Sequence, residues 1–273
     1  MVAAVQMTSR GDKSENLATA RRLVSQAAER GAALVALPEL FNCLARPEKV
    51  LSEAEPIPGP TSQAMSELAT KCRVTLVAGS IGERSETNKI YNTSLLFGPD
   101  GALLAKYRKL HLFDIDLPGS VTFRESQFMA MGDRVVVTAT AIGRLGQATC
   151  YDLRFPELFR RLVDLGAELL VIPAAFTMAT GRDHWEVLLR ARAIENQIFV
   201  VAPNQYGRHD EDLHTYGRSM IIDPWGTVVA TAPDGEGLIT AEIDFDQLGQ
   251  IRSRLPSLQN RRDLDQLSPD RGI

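Results

Sequence analysis

Two short stretches, Ala33-Leu34-Val35-Ala36-Leu37 and Glu168-Leu169-Leu170-Val171-Ile172-Pro173, are apolar almost without interruption. A strand with one wet face alternates polar and apolar residues, whereas a continuous run has no face to give to water and must be covered on both sides. Around these runs the chain supplies the covering elements. Helical spacing is read over 14–30 (Leu17, Ala20, Leu23, Ala27 and Ala28, closed by Gly31), 61–72, 155–166 (Leu158, Leu162 and Leu165, closed by Gly166), 184–197 and 245–255. Further strands are read at 2–8, 75–81, 134–139, 143–149, 198–203 and 238–243. Hairpins are read at 90–97 with 102–107 and at 219–223 with 227–230, around turns rich in proline and glycine. Strands alternating with helices in both halves predict one α/β domain with covered sheets over residues 1–273. Residues 46–60 read as a polar, proline-rich connection, 112–132 as a long irregular segment of the kind that carries function, and 205–215 as a polar loop. The tail from about 256 to 273 is expected to wrap a neighbouring subunit or stay mobile.

Composition narrows the partners. With 30 Lys and Arg against 34 Asp and Glu, the formal net charge is −4, which lacks the basic footprint of a nucleic-acid binder. No apolar run approaches the ~18 residues of a membrane span and no leader pattern is read, so a cytoplasmic location without membrane association is expected. Cys43, Cys72 and Cys150 are odd in number and free of any CxxC spacing, which argues against a disulfide framework or a cysteine zinc site. His209 and His214 are read as solvated loop residues, and no metal or cofactor is expected.

Chemistry concentrates at strand ends. Cys150 lies between the strand at 143–149 and the helix at 155–166, where a macrodipole and Arg154 would favour the thiolate and Asp152 would oppose it. The same local sequence also fits a small buried hydrophobe. Glu39 and Lys109 each sit just past a predicted strand, and in α/β folds ligand sites gather outside the carboxyl ends of strands. A carboxylate base, a thiol nucleophile and an ammonium at the oxyanion suffice for amide hydrolysis, with the Tyr151 N–H as a second oxyanion donor and Glu125 as a further carboxylate orienting Lys109 or water. Each residue alone also admits a plain structural role: a cap for Glu39, a solvated charge in the cluster 106–111 for Lys109, a loop acid for Glu125. No GxSxG, GxGxxG or GxxxxGK[ST] signature is present.

The segments Leu37-Pro38-Glu39, Tyr107-Arg108-Lys109-Leu110-His111, Cys150-Tyr151-Asp152-Leu153-Arg154-Phe155-Pro156-Glu157 and Gly181-Arg182-Asp183-His184-Trp185-Glu186 resemble the successive motifs of the nitrilase superfamily, the carbon-nitrogen hydrolases. The resemblance spans essentially the whole chain. It implies an α-β-β-α sandwich, a triad of Glu39, Lys109 and Cys150, an additional active-site glutamate at Glu125, and at least a homodimer. Within the superfamily the chain is similar to the Nit branch. Segments including Trp185-Glu186-Val187-Leu188 and Asp223-Pro224-Trp225-Gly226 favour its amidases for deaminated glutathione over its omega-amidases. The implied substrate joins a 2-oxoglutarate unit to cysteinylglycine through an amide. Arg154, Phe176 and Thr180 match positions that hold the 2-oxo acid, with Tyr151 beside them. A guanidinium suits a carboxylate, although Arg154 also fits a salt bridge to Asp152 or Glu157. Arg182, Asp183 and Arg218 depart from the branch pattern and bear on the leaving group if they line the entrance.

Overall fold

The computed structural model describes residues 1–117, 119 and 121–263. Among them two large sheets lie face to face. The first has the order Gly237–Ala241, Val2–Gln6, Leu34–Ala36, Thr75–Val77, Ile90–Phe97 and Ile81–Arg84, with Leu103–Arg108 and Met129–Ala130 also paired to Ile90–Phe97. The second runs Val137–Thr140, Gly143–Gln147, Leu169–Val171, Phe199–Ala202, Met220–Ile222 and Val228–Thr231. Each has a parallel centre, built in one from Val2–Gln6, Leu34–Ala36 and Thr75–Val77, in the other from Gly143–Gln147, Leu169–Val171 and Phe199–Ala202.

Why the central runs are continuously apolar is visible in where alternate side chains go. Val2, Ala4, Leu34 and Ala36 meet Leu169, Val171, Phe199 and Val201 of the other sheet in one buried cluster. Their neighbours Ala3, Val5, Val35 and Leu37 pack outward against Ala20, Leu23 and Ala27 of helix Lys13–Glu29 and Met65 and Leu68 of helix Pro60–Cys72. On the far side Leu170, Ile172, Val200 and Ala202 meet Leu158, Phe159 and Leu162 of helix Pro156–Asp164 and Trp185 and Leu189 of helix Met178–Asn196. Both faces of both sheets are thus apolar, and the layers are α-β-β-α.

Several boundaries differ from the sequence reading, each for a physical reason. The stretch 75–81 is two strands, broken by a turn at Gly79. The segment 46–60 holds a short helix, Pro47–Ser52, begun by a proline at its first position. The segment 112–132 contains the hairpin of Asp114–Leu117 with Val121–Arg124, hidden from a hydrophobicity reading because Asp114 and Asp116 occupy one face. The loop 205–215 pairs Tyr206–Arg208 with His214–Tyr216. Helix Met178–Asn196 begins six residues before 184, running through Gly181. That glycine reads as a breaker, yet a Cβ there would lie 2.4 Å from the Tyr216 Cβ, so close packing explains it. Leu165, assigned to the inner face of its helix, is exposed because the helix ends at Asp164. In the tail, Arg261 pairs with Asp164, and residues 264–273 lie outside the described residues.

Candidate active site

Local backbone geometry presents each candidate side chain. Glu39 follows strand Leu34–Ala36 by three residues on a turn in which Leu40 is left-handed, with φ 49°. Gly79 (φ 38°) closes against this turn: a Cβ on it would sit 1.9 Å from the Pro38 carbonyl oxygen. The Leu40 N–H donates to Ser80 Oγ at 2.9 Å, and Gln205 Nε2 donates to the Glu39 carbonyl at 2.9 Å. Lys109 follows strand Leu103–Arg108 directly. Alternation along that strand sends Lys106 and Arg108 to Glu83 and turns Tyr107 and Lys109 inward, so Lys109 does not belong to a solvated basic patch.

Cys150 lies three residues past strand Gly143–Gln147 and opens the 3₁₀ turn Cys150–Arg154 with φ 47°. A non-glycine residue held left-handed at the start of a turn projects its side chain away from the strand, at the expense of local strain. The fully buried Asp152 secures this geometry. Its carboxylate accepts from the Thr149 N–H (2.8 Å), the Tyr107 hydroxyl (2.6 Å) and the His111 N–H (2.9 Å), and it contacts His111 Nδ1 at 2.7 Å. One carboxylate therefore ties both flanks of Lys109 to the turn of Cys150, across the junction of the two sheets.

The four candidate groups meet. Lys109 Nζ lies 3.0 Å from Glu39 Oε1 and 3.1 and 2.9 Å from Glu125 Oε1 and Oε2. Glu39 Oε2 accepts from the Ala175 N–H at 2.8 Å, and the Glu39 carboxylate acts electrostatically on the Cys150 thiol. Glu125 also accepts from the Phe113 N–H. All four are buried, at 3% exposure for Glu39, 2% for Lys109, 4% for Glu125 and 7% for Cys150, so their charges interact with little solvent screening. Burial alone would push the Lys109 ammonium down, but Glu125, Glu39 and Cys150 outweigh it and hold the group well above the usual lysine range. The Cys150 thiol moves the other way from the sequence expectation. Burial, then Glu39, push it well above the usual thiol range, and Lys109 only partly opposes them. The helix dipole contributes little, since the nearest α-helix, Pro156–Asp164, begins six residues later, and a thiolate here would be a third negative charge around one ammonium. The resting group is a thiol beside a carboxylate.

These side chains open into a cavity of about 540 Å³, within the range of small-molecule sites. Tyr151, Arg154, Phe176 and Thr180 line it, as do Phe113 and Phe123 from the 112–132 segment and Leu213 from the hairpin near residue 210. The Arg154 guanidinium lies 5.2 Å from the Phe176 ring centre and 5.7 Å from that of Tyr151, with Nη1 3.2 Å from His184 Nδ1. Among the described residues it forms no ion pair: Asp152 is taken by Tyr107 and His111, which removes one structural alternative for the guanidinium. Thr180 Oγ1 is 3.0 Å from Thr177 Oγ1. Tyr151 is the second residue of the Cys150 turn, where an N–H has no carbonyl partner within the turn. Arg182 and Asp183 are exposed outside the cavity and Arg218 pairs with Asp234 at 2.9 Å, so none of these three lines the entrance.

Sequence reasoning missed three contributors. The Ala175 N–H is a backbone group and leaves no side-chain signal. Asn92, whose Nδ2 donates to Glu39 Oε1 at 2.8 Å, could have been flagged as an amide inside an otherwise covered strand. His209 is buried and not solvated: Nδ1 contacts the Ser9 carbonyl and Nε2 contacts Thr215 Oγ1, each at 2.6 Å, pinning the hairpin that borders the cavity. Burial brings its imidazole down to about 4.

A four-layer sandwich with a buried thiol, two carboxylates and an ammonium under one cavity defines a hydrolase of carbon–nitrogen bonds. The chain belongs to the carbon-nitrogen hydrolase family, whose model matches residues 1–253. It is 46% identical over 265 residues to a deaminated glutathione amidase of Synechocystis, covering 96% of this chain and 97% of that one. It is 44% identical over 250 residues to the omega-amidase NIT2 of Xenopus tropicalis, covering 92% and 90%. Among solved structures, the NitFhit protein of C. elegans superposes with a TM-score of 0.88 at 38% identity; 96% of this chain spans 64% of that longer one.

Proposed function

We propose that this hydrolase cleaves the amide bond of deaminated glutathione, giving 2-oxoglutarate and cysteinylglycine through a thioester at Cys150. The observation that carries the reading is the meeting of Glu39, Lys109 and Glu125 beside the Cys150 thiol, under a cavity that also presents the guanidinium of Arg154. In this mechanism Glu39 takes the thiol proton as the sulfur attacks the amide carbon. The oxyanion is stabilised by Lys109 Nζ and the Tyr151 N–H. Collapse breaks the C–N bond, and the amine leaves with the proton returned by Glu39. Water, deprotonated by the same carboxylate, then hydrolyses the thioester and restores the thiol. Glu125 holds Lys109 in place throughout. Arg154 takes the carboxylate of the 2-oxo acid half, with Phe176 and Thr180 beside it.

The test is a panel of deaminated glutathione, 2-oxo-dicarboxylic acid monoamides, a carbamoyl amine and a nitrile, assayed by kcat/KM on wild type and Cys150→Ala. Deaminated glutathione should lead the panel and Cys150→Ala should abolish turnover. A lead for a monoamide would make the chain an omega-amidase, and turnover surviving in Cys150→Ala would remove the mechanism. Mass spectrometry of an acid-quenched reaction should find the acyl group on the Cys150 peptide.

The chain is read further as a cytoplasmic homodimer joined through helices Pro156–Asp164 and Met178–Asn196. Val187, Ile194 and Trp225 leave an apolar surface on and beside the second of these, at 66%, 50% and 61% exposure. Among the described residues no helix is long and apolar enough to cross a membrane. Light scattering that finds monomers alone would refute the dimer.

A further inference from the structure

Asn92 lies on strand Ile90–Phe97 opposite Lys109, whose N–H donates to its carbonyl at 2.9 Å. The register pairs Thr93 with Arg108, so Asn92 and Lys109 form the next rung and their side chains leave the sheet on one face. The Asn92 side chain is buried, 1% exposed, and its Nδ2 donates to Glu39 Oε1 at 2.8 Å and reaches Glu125 Oε1 at 3.4 Å. Those same two oxygens receive Lys109 Nζ at 3.0 and 3.1 Å. An ammonium and a neutral amide thus share one pair of carboxylate oxygens.

The amide has only one tenable orientation, because turning it over would aim a carbonyl oxygen at two carboxylates. In the orientation observed, Oδ1 is buried and meets no donor among the described residues. Its acceptor side gains nothing, so what fixes Asn92 is its donor side. Asn92 is absent from the cavity wall and cannot touch substrate there. A neutral donor also does something that a second cation could not: it favours the ionised carboxylate without the full positive charge that would weaken it as a base.

We propose that Asn92 is a positioning residue for the base, locking Glu39 and Glu125 onto Lys109 so that Glu39 is aimed at the Cys150 thiol before substrate arrives. The inference rests on Glu39 being the base. The groups facing Glu39 are the Lys109 ammonium, the Asn92 amide and the Ala175 N–H, which favour its charge, and Glu125 and the Cys150 sulfur, which oppose it. Removing the amide shifts this balance against ionisation.

The experiment compares full-length Asn92→Ala and the isosteric Asn92→Asp with wild type. The readouts are kcat and KM across pH and the alkylation rate of Cys150 by iodoacetamide across pH, quantified on its peptide. Asn92→Ala should lose about ten- to a hundredfold in kcat, as expected for one hydrogen bond to a charged group, with KM within about threefold. The acid limbs of turnover and of alkylation should both move to higher pH, further in Asn92→Asp than in Asn92→Ala. Acid limbs that stay in place, or a change confined to KM, would overturn the proposal. So would loss of the folded state in both variants, which would make Asn92 a structural residue. Turnover surviving in parallel Glu39→Gln and Cys150→Ala variants would instead remove the triad reading on which it stands.

Discussion

Replacing Lys109 by Met keeps the length and apolar stem of the side chain and deletes its charge. Glu39 and Glu125 would then face each other without their shared ammonium, both at 4% exposure or less. Removing one partner of a buried ion pair costs about 3–5 kcal/mol, equivalent to a Tm lower by roughly 5–9 °C for a domain of this size. Turnover should fall by a factor of about 10²–10³ or more if Nζ is an oxyanion donor. The pH dependence separates charge repulsion from simple loss of packing. In wild type, Lys109 is held above its ordinary value, so its stabilising contribution is fully present below the unfolded lysine value of 10.5 and is lost only as pH rises through the still higher folded value. In the variant, two unscreened carboxylates must share a proton, so its stability should recover as pH falls towards the ordinary carboxylate range and the gap to wild type should narrow. Adding Glu125→Gln should recover at least half of the lost stability and none of the activity. Urea unfolding from pH 5 to 8 and initial rates provide both readouts. A Lys109→Met enzyme within tenfold of wild-type kcat would refute the oxyanion role. A double variant no more stable than the single would refute the charge argument.

Arg154→Met should lower kcat/KM by about tenfold or more on amides that carry a carboxylate in the acyl half and leave amides without one nearly unchanged, which paired substrates will reveal. His209, held at about 4 by burial, is kept neutral in the folded state, so its contribution is present above the unfolded value of 6.5 and lost as pH falls from there towards 4. His209→Gln should flatten the stability profile in that window, where wild type loses up to about 3 kcal/mol by chemical denaturation. For Glu83, burial raises the carboxyl but bonds from Arg108, Lys106 and Thr93 bring it down to about 2. Glu83→Gln should therefore cost ~2 kcal/mol at pH 7, a figure reduced for the solvent around Lys106 and Arg108, and the difference should vanish as pH falls from 4.5 to about 2.

How much the sequence disclosed depended on the range of each signal. Continuous apolar runs predicted strands covered on both faces, and the two-sided burial of Leu34–Ala36 and Leu169–Val171 agrees. Strand ends located Glu39, Lys109 and Cys150 to within a few residues, because ligand sites in α/β folds gather outside the carboxyl ends of strands. That the three meet was a matter of resemblance alone until the register between the sheets was known. The upward push on the Cys150 thiol was not legible locally, since neither its burial nor the proximity of Glu39 is a local property. The roles of the Ala175 N–H and of Asn92, though not the presence of that amide in a covered strand, were illegible for the same reason: each acquires its role from a partner more than fifty residues away in the chain, Glu39. The hairpin at 114–124 escaped because its strands are short and the first is half aspartate.

The pairing of Val2–Gln6 with Gly237–Ala241 bears on how the protein is made. These strands are separated by about 230 residues of chain, which a ribosome takes roughly 10–50 s to produce. Throughout that interval Val2–Gln6, whose every residue is buried in the finished fold, has one edge without its partner. An apolar strand with an open edge invites pairing with other chains. During synthesis Val2–Gln6 is therefore an open edge that is relieved only when residue 241 leaves the exit tunnel.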